Sequence, residues 1–401
     1  MKRYFNILTI IILFSACQKP APQKGTFGYD LDFLKKHHPD LVLLQDSASA
    51  AQLIVLPAYQ GRVMTSTSDG ENGMSYGWIN HDLIAEGTFS EQFTPVGGEE
   101  RFWLGPEGGQ FSLFFKKGSD FTFDHWFVPK AIDSEPFNLV SSTSTEAKFE
   151  KAMHLENYSG TAFDIKVDRT ITLLNKNSIN EFLGLELNSD IRSVGFQSVN
   201  SITNTGSDTW NEKTGLLSIW ILSMLQSNDQ TTVVFPFRIG DTQKLGKIVT
   251  DDYFGKLGTD RLKIEEGYLL FKADAKQRSK IGVSPKRALP FVGSFDAQNN
   301  VLTIAQYTLS AGFTPYVNST WKIQENPFEG DAVNAYTDGP IDGKQMGQFY
   351  ELESSSPALS LAPGAKAEHI HRTIHLSGPV EKLNEISLKV FGLPLDQLKF
   401  N

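Results

Sequence analysis

The sequence predicts an all-β protein, a large antiparallel β-sandwich with a few short peripheral helices. Two observations carry this. Short segments alternate apolar with polar residues and are rich in β-branched and aromatic side chains. Turn residues recur between them, as in Pro95-Val96-Gly97-Gly98, Gly108-Gly109, Asn157 to Gly160 and Asp296 to Asn300. Strands without intervening helical periods favour stacked antiparallel sheets over parallel βαβ units.

Met1, Lys2 and Arg3 give a charged start, and Tyr4 to Phe14 is an apolar run of signal-peptide length, short of the ~20 residues that span a bilayer. Cys17, the only cysteine, follows Ser15-Ala16, where a lipoprotein signal peptidase would expose it for acylation. Phe14 departs from the usual box, and an ordinary cleaved signal is the alternative. Residues 1–17 thus read as a lipoprotein signal peptide, 18–25 as a flexible tether and 26–401 as a single sandwich domain. The expected partner at this end is a membrane, held through the acyl chains of the N-terminal anchor. The expected location is the cell envelope. Gln18, where an acidic residue would signal inner-membrane retention, favours an outer-membrane lipoprotein facing the periplasm.

Amphipathic helices are expected over 30–37 and 381–390, packed on the outside. Strands are expected at 51–56, 111–115, 163–174, 231–237, 268–272 and 301–308. No internal repeat or composition break marks a boundary. With 37 Lys+Arg against 46 Asp+Glu the net charge is −9, which argues against nucleic acid as a partner, since phosphate binding needs a basic surface. A lone cysteine removes disulfides and multi-cysteine metal sites. No phosphate-cradling glycine loop and no nucleophile elbow occur, and no cofactor is expected.

Four clusters carry chemistry-bearing residues. In Gly97 to Gly109, an extended backbone places Arg101, Trp103 and Glu107 on one face, with Glu99 as well. Guanidinium and carboxylate groups hydrogen-bond hydroxyls while an indole stacks on a pyranose, so this face suits a sugar; the alternative is a buried Arg–Glu pair. In Asp124 to Phe137, His125 is a candidate acid beside the stacking platform Trp126, and His154 is a comparable candidate further on. In Val199 to Trp220, Asn200 can offer donor and acceptor to a hydroxyl pair, whereas Asn204 reads as a turn residue. In Gln348 to Ser355, Glu351 and Glu353 share one strand face while Tyr350 and Leu352 take the other. Two carboxyls aimed into one space raise each other's pKa, which suits acid–base work near neutrality. Downstream, His369, His371 and His375 alternate on one face. A His-x-His pair suits Zn²⁺, but i to i+4 along a strand spans about 13 Å, and no metal site is expected.

Across roughly Gln52 to Leu376 the order and character of these segments resemble the galactose-mutarotase-like superfamily, which includes the aldose 1-epimerases. The resemblance rests on the Gly61-Arg62 turn, on GGEERFWLGPEGG, on HLENYSGTAFDIKVDRTITLL and on the closing ELESSSPALSLAPGAKAEHIHRTIHL. The chain looks closest to lipoproteins of Gram-negative bacteria with that architecture. The resemblance implies a β-supersandwich and a late-strand glutamate acting as base on an anomeric hydroxyl, here Glu353, or Glu351 if the register slips by two. It also implies a histidine acid. No Asn-His-x-Tyr-Phe-Asn segment supplies one, leaving His125 or His154 to take that role.

The leading expectation is a lipid-anchored protein with a carbohydrate partner, mono- or oligosaccharide. Its catalytic candidates are Glu353, Glu351 and His125. Its substrate-binding candidates are Arg101, Trp103, Glu107, Trp126, His154, Asn200, His369 and His371, and Cys17 is the lipidation site. Epimerase-like acid–base chemistry stands against non-catalytic sugar binding and against a structural envelope role.

Overall fold

A computed structural model describes residues 22–312 and 314–400. Cys17, the signal-peptide call at 1–17 and the first part of the tether lie outside the described residues. The protein is all-β, with antiparallel pairing between every pair of neighbouring strands in its sheets.

Two large sheets face each other. One has ten strands and is centred on Arg192–Asn204 and Lys366–Ser377, which pair residue for residue over twelve positions from Arg192↔Ser377 to Thr203↔Lys366. The other has six strands and runs in the order Ser279–Val283, Val333–Thr337, Phe349–Ser355, Ser218–Leu222, Arg101–Gly105, with Leu225–Gln226 added to Phe349–Ser355. A smaller sheet of Val42–Gln45, Gln52–Leu56 and Arg62–Thr67 completes the set.

Period-two alternation decides which side chains fill the space between the large sheets. Phe102, Leu104, Ile219, Ile221, Ile281, Ala335, Tyr350 and Leu352 point inward into buried apolar clusters. Their sequence neighbours point the other way. The inward layer also holds a polar seam. Arg169 pairs with Glu100 at 2.8 Å and bonds Asn200, while His375 donates or accepts between Thr303 at 2.8 Å and Glu99 at 2.6 Å.

The outer face of the ten-stranded sheet is apolar too, with Val234, Leu270, Leu302, Ile304 and Ile374 covered by helices Lys176–Leu183 and Val380–Val390. The expected helices over 30–37 and 381–390 are present as Phe27–His37 and Val380–Val390. Helix Lys176–Leu183 was not expected, although Asn175 caps its first turn and Gly184 ends it in a left-handed conformation. The expected strand at 111–115 is corrected. That segment is irregular because Ser112 bonds locally, to the Glu107 carbonyl and from the Phe114 amide, in place of a ladder.

Candidate functional site

The outward face of the six-stranded sheet forms the floor of a cavity of about 440 Å³. Alternation places Arg101, Trp103, Trp220, Leu222, Lys280, Tyr336, Glu351 and Glu353 there together. The register makes them neighbours: Trp103 lies opposite Trp220, Glu351 opposite Tyr336, and Leu222 opposite both Arg101 and Glu353. Loops supply the walls and roof, with Phe93, Glu107, Phe123, Trp126, Phe254, Arg278 and Trp321.

Two glycine features shape this region. Gly97 and Gly98 have φ of 93° and 115°, and a Cβ on Gly97 would sit 2.1 Å from the Trp78 carbonyl, so this turn into the Arg101 strand needs glycine. At Gly108 a Cβ would lie 2.4 Å from the Thr320 carbonyl, and the closeness of that loop sets Trp321 over the floor.

Two buried ion pairs lie on the floor. Arg101 donates through Nη2 to Glu351 Oε1 at 2.9 Å, and its guanidinium lies over Trp103 at 4.3 Å and Phe93 at 5.4 Å. Lys280 Nζ and Trp220 Nε1 both donate to Glu353 Oε2 at 2.9 Å. Burial alone would lower the Lys280 pKa, but Glu353 and Glu107 outweigh it and hold the ammonium charged. Glu351 is pushed up to about 8: burial opposes its charge more strongly than Arg101 favours it, and Glu353 repels a second negative charge. Glu107 is also raised, by burial first. Tyr253, which also lines the cavity, donates to Asp331 Oδ2 at 2.7 Å.

Several buried polar atoms of the lining have no hydrogen-bond partner: Arg101 Nε, Trp103 Nε1, Trp126 Nε1, Arg278 Nε and Glu353 Oε1. An unpaired buried donor or acceptor costs roughly 1–3 kcal/mol. Donors and an acceptor left open between aromatic faces are what a polyhydroxylated ring satisfies, through its hydroxyls and its apolar C–H face.

Of the residues singled out in the sequence, Arg101, Trp103, Glu107, Trp126, Glu351 and Glu353 meet in this cavity. The others do not. His125 is exposed, because the turn Phe123–His125 aims Phe123 and Trp126 at the cavity and turns the imidazole toward solvent, where it meets Thr122 at 3.2 Å. His154 is an exposed partner of Asp164 at 2.7 Å, on a separate wide groove of about 860 Å³. Asn200 is locked to Arg169 and Ser198 in the inter-sheet seam. His369 Nε2 and His371 Nδ1 both meet Ser354 Oγ at 2.8 Å, buried on the opposite face of the strand from Glu353. Glu99 leaves the expected common face and bonds Ser66 and His375. Among the described residues no group of His, Cys, Asp and Glu is arranged to hold a metal. Sequence reasoning missed Lys280, Arg278, Trp220 and Trp321. Lys280 had a signal, as a cation in an otherwise strand-like SKIGV; Trp321 had none.

The chain matches one family over residues 25–401. It belongs to DUF6786, a family of unknown function. No curated protein matches the chain in sequence. Among solved structures, this DUF6786 protein is similar to the Slr1438 protein from Synechocystis sp. PCC 6803, with a TM-score of 0.50 and 13% identity over 84% of this chain and 96% of that one. It is also similar to a galactose mutarotase-like protein from Lactobacillus casei ATCC 334, with a TM-score of 0.48 and 10% identity over 84% and 99%. A galactose mutarotase related enzyme from Lactobacillus acidophilus gives 0.47 and 8% over 84% and 98%. At these identities the likeness concerns the fold alone.

Proposed function

We propose that the cavity binds a saccharide and that Glu351 and Glu353 perform acid–base chemistry on it. The observation that carries this reading is the set of unpartnered buried polar atoms between Trp103, Trp126 and Trp220. Among the described residues no histidine lines the cavity, so the acid has to be found elsewhere. Glu351, raised to about 8, holds a proton at neutral pH, whereas Glu353 is the carboxylate partner of a charged lysine. In an epimerisation, Glu353 removes the proton from the anomeric hydroxyl as Glu351 protonates the ring oxygen. The C1–ring-oxygen bond breaks and a carbonyl forms at C1. After rotation about C1–C2, the reverse proton movements reclose the ring with either configuration.

A second reading, sugar binding without turnover, is favoured by the pairing of each carboxylate with a buried cation, which also suits a fixed hydroxyl acceptor. The wider setting in this proposal is residues 26–401 acting as one domain, tethered by acylated Cys17 to the outer membrane and facing the periplasm. The lone cysteine after an apolar run supports that setting.

The test follows optical rotation of single-anomer sugars with purified protein. Catalysis is expected to accelerate equilibration, and Glu353→Gln is expected to abolish the acceleration while sugar binding persists. Binding without acceleration in the wild type selects the second reading.

A further inference from the structure

Each basic residue on the cavity floor already has a carboxylate. Arg101 is matched to Glu351 and Lys280 to Glu353. Arg278, on the cavity wall just before the strand Ser279–Val283, is different. Among the described residues its buried Nε has no hydrogen-bond partner and its guanidinium has no ion-pair partner. The guanidinium lies over the Phe254 ring, with Cζ 4.2 Å from the ring centroid, so its plane is fixed by stacking and its nitrogens are left for something else. Phe254 itself is 44% exposed, which puts this cation near the mouth rather than the floor. Glu107 faces the same space, but burial raises its pKa, which weakens it as a permanent counter-ion.

We infer that Arg278 is the anion-recognition residue of the cavity and that the saccharide it holds is acidic, carrying a carboxylate or a sulfate ester at the end nearest the mouth. This rests on the saccharide reading above and narrows it. A stacked guanidinium offers its donors as a planar fork, which matches the paired oxygens of such a group and binds a lone hydroxyl less well. The floor cations already donate to Glu351 and Glu353, so the charge contributed by the ligand is met at the wall. The reacting ring is then oriented with its acidic substituent outward and its hydroxyls toward Glu351 and Glu353.

The experiment measures quenching of tryptophan fluorescence by glucuronic acid, galacturonic acid, glucose 6-sulfate, glucose and galactose, with wild type, Arg278→Ala and Arg278→Lys. In the wild type the acidic sugars are expected to bind about tenfold or more tightly than their neutral parents, with the preference shrinking as salt rises. Uronic acids and the sulfate ester separate the two anion chemistries. In Arg278→Ala the acidic-to-neutral affinity ratio is expected to fall to about one, and in Arg278→Lys to an intermediate value, since lysine keeps the charge and loses the fork. Equal wild-type affinity for acidic and neutral sugars overturns the inference and leaves the saccharide reading standing. Binding of no sugar of either kind sinks both. The wild-type comparison decides the matter even where a variant fails to fold.

Discussion

Arg101 and Glu351, 250 residues apart in the chain, meet at 2.9 Å on the floor of the cavity. Both side chains are almost fully buried, at 4% and 6% exposure. The pair joins the strand Arg101–Gly105 to Phe349–Ser355 across the intervening strand Ser218–Leu222, so two distant parts of the sequence are bound to one site.

Removing one member of such a pair leaves an uncompensated buried charge, which costs roughly 3–5 kcal/mol where the charge has no escape. Glu351 has one, since it can take up a proton. Arg101→Met is therefore expected to destabilise strongly at pH 9 and clearly less at pH 6. Adding Glu351→Gln should recover much of the loss at pH 9. Urea unfolding of the three variants at the two pH values checks this; a penalty independent of pH would contradict it.

The raised pKa of Glu351 has its own signature in the wild type. The folded state holds this proton between the ordinary carboxylate range and about 8, while the unfolded state does not. Its contribution is present below the unfolded pKa and is lost as pH rises through about 8, with a slope of roughly 1 kcal/mol per pH unit over that window. Glu351→Gln mimics the protonated form and should flatten that part of the profile. Thermal melts from pH 5 to 9 read the difference, and parallel curves would refute the assignment.

His369 and His371 act in the opposite sense. Burial lowers both to about 3, so they are neutral in the seam around Ser354. Their contribution is present above the ordinary histidine pKa near 6.5 and is lost as pH falls toward about 3. The wild type should lose more than about 2 kcal/mol between pH 7 and 4 from this pair. His371→Asn should show a shallower acid limb in denaturant titrations.

Trp103 tests the binding face. Its indole carries Arg101 on one side and an unpartnered Nε1 on the cavity lining. Trp103→Phe keeps an aromatic face, and Trp103→Ala removes it. Sugar affinity is expected to fall in that order, by about tenfold for alanine, as stacking energies suggest. Calorimetry measures it, and unaltered affinity in Trp103→Ala would remove the main support for a sugar site.

Much of the floor was legible because strand alternation is a local rule. Glu351 and Glu353 do share a face against Tyr350 and Leu352, and Arg101 and Trp103 do likewise against Phe102 and Leu104. The same rule placed the late histidines together but could not say which side was hollow. Their strand belongs to the ten-stranded sheet, whose inner face is filled by its partner, so they became a seam. His125 failed for a different reason, since a tight turn has no period-two face. Arg278, Trp321 and Phe254 reach the cavity through loop paths, and only tertiary structure brings these to its walls.

The strand Phe349–Ser355 has a double loyalty: Glu351 and Glu353 face the cavity while Ser354 is gripped from behind by His369 and His371. Floor residues sit on the hydrogen-bonded strands of the six-stranded sheet, whereas Phe123, Trp126, Phe254 and Trp321 come from turns and loops. Related chains are thus free to lengthen, shorten or rewrite those loops and acquire new tastes without disturbing the pair of acids beneath.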